Sequence, residues 1–202
     1  LYRLEDGFLG YFGHPAKRCI RVGLSYDRQG IYYDAFTPSQ LEQHIARPLT
    51  DAEQTLTQHT LALWQTLALS KYNDPNLWSV TAVKPITAND NFVLLVDQTF
   101  GDKSLQLGAA QQQSFLWMLL DALNLYPDTQ IRIRTHPDVM AGKKQGCFDA
   151  SWLQISERIV LDSQPILASE LIQQAQAVFC VTSQLGLEAI LHNKRVYTYA
   201  VS

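Results

Sequence analysis

Four carboxylates in this sequence stand beside turn-forming glycines. Asp97 and Asp102 flank a turn that contains Gly101, and Glu5 and Asp6 precede Gly7. Carboxylates in loops can reach a substrate, where they serve as general acids, general bases or nucleophiles. Asp is also a turn former and a helix cap, so spacing alone leaves open which of the four react. A second group is Thr182-Ser183-Gln184-Leu185-Gly186-Leu187-Glu188. Hydroxyls and free amides at a helix start, with the positive end of the helix dipole, can hold a phosphate. Glu188, one turn further in, can accept hydrogen bonds from ribose hydroxyls. Thr182 or Ser183 would equally serve as a simple helix cap. His136, between Thr135 and Pro137, could donate to a phosphate or move a proton. The other histidines, His14, His44, His59 and His192, make no metal-ligand pattern.

The elements around these groups predict where they meet. From residue 92 onward, short apolar runs alternate with amphipathic ones. Strands are expected at Phe92–Val96, Gln130–Arg134, Arg158–Leu161, Ala177–Val181 and Arg195–Tyr199. Helices are expected at Gln111–Leu123, at Pro165–Gln176 with Pro165 in its first turn, and at Gln184–His192. Strand-helix alternation implies a doubly wound, mostly parallel sheet. Its ligands bind beyond the carboxyl ends of the strands. The Asp97–Ser104, Thr135–Asp138 and Thr182–Glu188 segments each follow a strand, so all three should open on one edge.

The first part of the chain has a different texture. Arg21–Tyr26 and Ile31–Ala35 around Asp27-Arg28-Gln29-Gly30 read as a hairpin. Thr50-Asp51-Ala52-Glu53 has capping-box spacing, and Leu56, Leu63, Trp64 and Leu67 give the following helix one apolar face to about residue 70. The Asn73-Asp74-Pro75-Asn76 cluster should end that helix. Turn formers over Lys84–Asn91 divide the chain into regions 1–85 and 86–202.

Composition narrows the function classes. The 202 residues are 47% apolar and 17% charged, which excludes a disordered or coiled-coil chain. The net charge of −3 is spread along the chain, with no basic stripe for nucleic acid. No apolar run approaches the roughly 18 residues of a membrane span. Cys19, Cys147 and Cys180 show no CxxC spacing, which speaks against a disulfide framework or a zinc site and fits a reducing compartment.

Six segments taken together resemble the KpsC/LipA-type capsule polysaccharide biosynthesis proteins, in the family's order over nearly the whole chain. They are Arg3–Leu9, Asp27–Asp34, Leu69–Asn73, Val96–Asp102, Thr135–Val139 and Thr182–Ala189. The chain departs from the family pattern at Gly10-Tyr11 and at Arg134. The resemblance implies an α/β, GT-B-like fold. A partial N-terminal, acceptor-side lobe (1–85) would precede a Rossmann-like CMP-sugar-binding lobe (86–202) truncated at its C-terminus. It implies a retaining glycosyltransferase fragment, poorly active alone, that moves Kdo from CMP-Kdo to a glycolipid acceptor in capsule assembly.

By the same resemblance His136, Ser183, Gln184 and Glu188 serve the CMP half of the donor, and Thr182 and Gly186 join them as parts of the same helix start. The resemblance assigns Glu5 with Asp97 or Asp102 to the sugar chemistry, Asp6 stays a candidate by residue type, and Asp102 is expected as nucleophile because it follows Gly101 in the loop while Asp97 ends a strand. Arg3, Lys103 and Arg134 are the nearest cations for the Kdo carboxylate. No cofactor or metal is expected. Expected partners are CMP-Kdo, the acceptor and the capsule assembly and export machinery, at a cytoplasmic location peripheral to the inner membrane. The alternatives are another CMP- or CDP-donor transferase, such as a polyglycerolphosphate polymerase, and a non-catalytic sugar-nucleotide-binding module of capsule export.

Overall fold

The structure, a computed structural model, describes residues 2–13, 19–78 and 91–201. Of the expected boundary at Lys84–Asn91, only Asn91 falls within the described residues. The first part contains β1 (Arg3–Asp6), β2 (Tyr11–Gly13), β3 (Cys19–Arg21), β4 (Leu24–Asp27), α1 (Gln40–Ile45), α2 (Asp51–Thr66), β5 (Tyr72–Asn73) and α3 (Pro75–Trp78). β1 pairs antiparallel with β4, and β2 lies between β3 and β5.

The expected hairpin does not form. Asp27 Oδ1 accepts the Gln29 and Gly30 amides at 2.7 and 3.1 Å, and its Oδ2 accepts the Gln40 amide at 2.6 Å. These bonds turn the chain out of strand geometry, so Ile31–Ala35 is a run of turns and β4 takes β1 as its partner. α1 begins at a capping box formed by Ser39 and Glu42, a signal present in the sequence and missed there.

α2 starts at the expected Thr50–Glu53 box, yet its packing face differs from the expected one. Leu56, Leu63 and Leu67 are exposed. Gln65 instead fastens the helix by donating to the Leu191 carbonyl at 2.5 Å. The helix also stops earlier than the Asn73–Asn76 cluster. Ala68 adopts φ 53°, and the Leu69 and Ala68 amides bond back to the Trp64 and Gln65 carbonyls at 3.0 and 3.3 Å, the pattern that closes a helix end. Asn73 has another task. Its side chain brackets Ser70, accepting from the Ser70 amide at 3.0 Å and donating to the Ser70 carbonyl at 2.6 Å.

The second part comprises β6 (Phe92–Val96), α4 (Lys103–Leu107), α5 (Gln112–Leu125), β7 (Gln130–Arg134), α6 (Pro137–Met140), β8 (Ile159–Asp162), α7 (Ala168–Gln174), β9 (Ala177–Cys180), α8 (Gln184–Leu191) and β10 (Arg195–Thr198). Its five strands are all parallel in the order β10-β9-β6-β7-β8. The order reverses between β6 and β9, which makes that junction the topological switch point.

β6 is buried along its whole length because both sheet faces are covered. Val93 and Leu95 pack with Phe115, Met118 and Leu119 of α5. Phe92, Leu94 and Val96 pack with Leu171, Ile172 and Ala189 of α7 and α8. Each such side chain contributes about 1.5–3 kcal/mol. α7 begins three residues later than expected. Arg134 donates to the Gln164 and Ile166 carbonyls at 2.6 and 3.1 Å, which holds the chain extended until Leu167, the residue that precedes the helix.

Candidate functional site

The loops that follow β6, β7 and β9 open on one edge of the sheet, as the alternation predicted, and line a cleft of about 1300 Å³. Across it stand Glu5, Asp6, Phe8, Tyr32, Tyr33 and Ser70–Tyr72. The cleft lies over the switch point, where neighbouring loops diverge and leave a crevice.

A hydroxyl network ties the β6 loop to the β9 loop. Thr182 donates its amide to Gln98 Oε1 at 3.0 Å, and its Oγ1 accepts from Gln98 Nε2 at 2.9 Å. Ser104 Oγ lies 2.9 Å from the same Thr182 Oγ1 and donates to Asp102 Oδ1 at 3.0 Å. Asp102 Oδ1 also caps α4 by accepting the Ser104 amide at 2.9 Å. Oδ2 takes no part in the cap. Asp97 is held differently. It is buried, and its Oδ1 accepts the Gln98 and Cys147 amides, both at 2.9 Å. Burial pushes its carboxyl above the usual range, while the Cys147, Gln98 and Phe148 amides pull it back.

On the facing wall, Glu5 Oε2 accepts from the Tyr33 hydroxyl at 2.8 Å and Oε1 accepts the Asp6 amide at 2.9 Å. Asp6 is occupied on both oxygens, by the Tyr11 hydroxyl at 2.6 Å and by Arg21 Nε at 3.1 Å. The Arg21 ion pair neutralises Asp6, whereas the two groups that hold Glu5, the Tyr33 hydroxyl and the Asp6 amide, are both neutral.

His136 caps α6, its Nδ1 accepting the Asp138 amide at 3.1 Å. A neutral ring bonded this way carries its proton on Nε2, which is therefore a donor. Burial lowers its pKa and favours that neutral form.

Ser183 caps α8, its Oγ accepting the Leu185 amide at 3.3 Å. The Gly186 amide bonds the Ser183 carbonyl at 3.0 Å, so the Gln184 amide is the first-turn donor left for an anion. Gly186 lets α8 lie against β9, since a Cβ there would sit 2.5 Å from Cys180 Sγ. Gln184 reaches across to the first part of the chain, donating to the Phe8 carbonyl at 2.6 Å and to Glu188 Oε1 at 3.1 Å.

Glu188 lines the cleft but is only 2% exposed. Its Oε1 also accepts the Lys71 amide at 3.0 Å, and Oε2 is buried without a hydrogen bond. The Ser70 hydroxyl acts on this carboxyl without reaching hydrogen-bond geometry with Oε2. Burial raises the pKa from 4.5 to about 7, against the opposing pull of the Lys71 amide, Ser70, Gln184 and the Lys71 charge.

A carboxyl raised on folding stabilises the fold fully below its unfolded value, and this contribution is lost as pH rises through the folded value. A shift of this size corresponds to about 3 kcal/mol. Glu188→Gln should therefore gain stability relative to the parent chain, by up to about 3 kcal/mol, as pH rises from about 4.5 to 8. Urea denaturation of both proteins across that range tests this. A stability difference that stays constant with pH would refute it.

The three cations expected at the site separate. Arg3 donates to the Gln29 carbonyl at 2.6 Å and is not part of the cleft wall. Arg134 lines the cleft, but its guanidinium is taken up by Asp162 at 3.5 Å and by the Gln164 and Ile166 carbonyls. Lys103 lines the cleft, as do Lys71 and Lys144, neither of which sequence reading singled out as a cation. Lys71 lies within the Leu69–Asn73 segment, so a signal for it was present. Lys144 follows no motif and reaches the site only because the loop after α6 folds back, its Nζ 3.9 Å from Asp138. Among the described residues, no group of three or more His, Cys, Asp or Glu side chains could hold a metal ion, and no helix is long and apolar enough to cross a membrane.

Comparison with known proteins agrees with this architecture. The family described as capsule polysaccharide biosynthesis protein matches residues 57–201. The chain is 39% identical over 201 residues to the capsule polysaccharide modification protein LipA of Neisseria meningitidis serogroup A, covering 98% of this chain and 28% of LipA. It is 27% identical over 203 residues to the lipopolysaccharide-processing protein LpsZ of Rhizobium meliloti, covering 98% of this chain and 45% of LpsZ. Among solved structures, Thermosulfurimonas dismutans KpsC, a beta Kdo 2,4 transferase, superposes with a TM-score of 0.85 at 28% identity, over 98% of this chain and 60% of that one. The beta Kdo 2,7 transferase KpsC structure from the same organism gives 0.69 at 25% identity, over 99% of this chain and 57% of that one. The chain thus spans well under half of LipA and less than two thirds of either solved chain.

Proposed function

This chain belongs to the capsule polysaccharide biosynthesis protein family, and from that premise we propose that its cleft is the active site of a retaining β-Kdo transferase. The donor is CMP-Kdo and the acceptor a glycolipid, at the cytoplasmic face of the membrane. Residues from the first part of the chain form the acceptor-side wall, and the parallel sheet forms the nucleotide-binding lobe. One observation carries the reading: His136, the start of α8 and two carboxylates, Glu5 of β1 and Asp102 of the loop after β6, line the same cleft.

CMP leaves as a monophosphate. The His136 Nε2–H and the Gln184 amide at the positive end of α8 stabilise its oxygens without a metal clamp. Lys71, Lys103 and Lys144 supply positive charge for the Kdo carboxylate. CMP-Kdo carries its leaving group in the β configuration, so a β-linked product requires retention, achieved by two inversions. In the first, Asp102 Oδ2 attacks the anomeric carbon and the bond to the phosphate oxygen breaks, CMP taking the electron pair. In the second, the acceptor hydroxyl oxygen attacks that carbon, the ester bond to Asp102 breaks, and the hydroxyl proton passes to Glu5.

The test is CMP release by the full-length protein, with EDTA present and absent. CMP-Kdo should be consumed at the same rate in both, and CDP-glycerol should not. Turnover of CDP-glycerol would favour a polyglycerolphosphate polymerase, turnover of neither a non-catalytic sugar-nucleotide-binding module, and loss of activity in EDTA a metal-dependent site.

A further inference from the structure

Phe8, Tyr32 and Tyr33 line the cleft beside Glu5. Their rings brace one another. Phe8 and Tyr32 have centroids 5.1 Å apart with planes tilted by 38°, and Tyr32 and Tyr33 meet edge to face at 5.2 Å and 83°. A ring held on two sides loses little further freedom when a ligand packs on it, so it offers contact area at small entropic cost.

The Tyr33 hydroxyl is committed to Glu5 Oε2, whereas the Tyr32 hydroxyl makes no hydrogen bond among the described residues. Burial, Glu5, Asp6 and Asp102 push the Tyr32 hydroxyl up to about 12, so it remains a donor at neutral pH. Glu5 leaves this end of the cleft better suited to a neutral sugar ring than to the donor phosphate. Lys71 and Lys144 act on His136, and Asp102 acts on both His136 and Tyr32, so Asp102 stands between the two groups.

We infer that Tyr32, backed by Phe8 and Tyr33, is the seat for the terminal sugar ring of the acceptor, and that the Tyr33–Glu5 hydrogen bond sets the carboxylate against a hydroxyl of that ring. A pyranose presents a face of C–H groups that packs on an aromatic ring, with hydroxyls at its rim. Tyr offers the matching pair, an apolar face and a donor at its edge. The seat rests on the reading of Glu5 as the group that takes the acceptor proton. Tyr33 is then a positioning residue, since it acts through Glu5.

The experiment uses the full-length protein with CMP-Kdo and a synthetic Kdo disaccharide on an alkyl aglycone as acceptor probe. Tyr32→Ala should raise the acceptor KM tenfold or more while the donor KM moves less than twofold, and Tyr32→Phe should recover most of the loss because it keeps the ring. If Tyr32→Ala fails to fold, Tyr32→Leu serves in its place. Saturation-transfer NMR on the unmodified protein gives an independent readout, in which irradiating the aromatic resonances should label the C–H protons of the probe's terminal ring. An unchanged acceptor KM, equal rises in both KM values, or no labelling of that ring would overturn the seat. Glu5→Gln separates the two readings. Full transfer in that variant would remove Glu5 as proton acceptor, whatever the Tyr32 variants show.

Discussion

Asp102→Ala in the full-length protein is expected to lower Kdo transfer by about a thousandfold or more, the scale at which loss of a covalent nucleophile is felt. The loss should not come from unfolding. In the fold Asp102 caps one short helix and accepts from the Ser104 amide and hydroxyl, and removing such a cap costs about 1 kcal/mol. The cap also aims the group. With Oδ1 fixed by Ser104, and Ser104 fixed in turn by Thr182, the carboxylate is held in one orientation relative to the nucleotide edge. Intact-protein mass spectrometry with CMP-Kdo and no acceptor should show a Kdo adduct that maps to the peptide containing Asp102. An adduct on Asp97, or one that survives Asp102→Ala, would remove Asp102 from this role.

Asp97→Ala should act on stability instead, lowering it by about 3 kcal/mol or more. Asp97 is 6% exposed and joins two segments that are distant in sequence, taking the Gln98 and Cys147 amides. Around it the Phe100 amide bonds the Gln145 carbonyl at 2.8 Å and the Cys147 amide bonds the Gln98 carbonyl at 3.1 Å. The Gly146 backbone passes so close to the carboxylate that a Cβ there would collide with it. Deleting the side chain strands the Gln98 amide, at a cost of about 1–3 kcal/mol, leaves the Cys147 amide with the Gln98 carbonyl alone, and opens a cavity. Asp97→Asn keeps a carbonyl acceptor and should lose much less. Guanidinium denaturation of the three proteins measures the difference. An Asp97→Ala protein of normal stability that had lost transfer would point to a reacting role for Asp97.

How far the sequence reached differs between the two parts of the chain. In the second part, β6, β7, β9 and β10 were legible within about a residue of their observed ends. β6 and β9, covered on both faces, are apolar throughout, β7 alternates, and each of these three is followed by a polar loop. Parallel connectivity then forces those loops to one edge, so the gathering of Asp97, Asp102, His136 and Glu188 at a single cleft followed from the order of elements alone.

In the first part the strands are two to four residues long. Their partners are set by contacts distant in sequence, such as β1 with β4 and β2 with β5, and a local reading cannot weigh those against a nearby hairpin. The roles of the charged groups were hidden for the same reason. Residue type marks Arg3, Arg134, Asp6 and Asp97 as reactive, but each is neutralised or tied by a partner 5 to 50 positions away. The sequence itself determined that the loops after β6, β7 and β9 meet at one cleft edge. Only the packed chain decided which charged groups remain free to react, because an ion's chemistry depends on the partners that folding brings within hydrogen-bond distance.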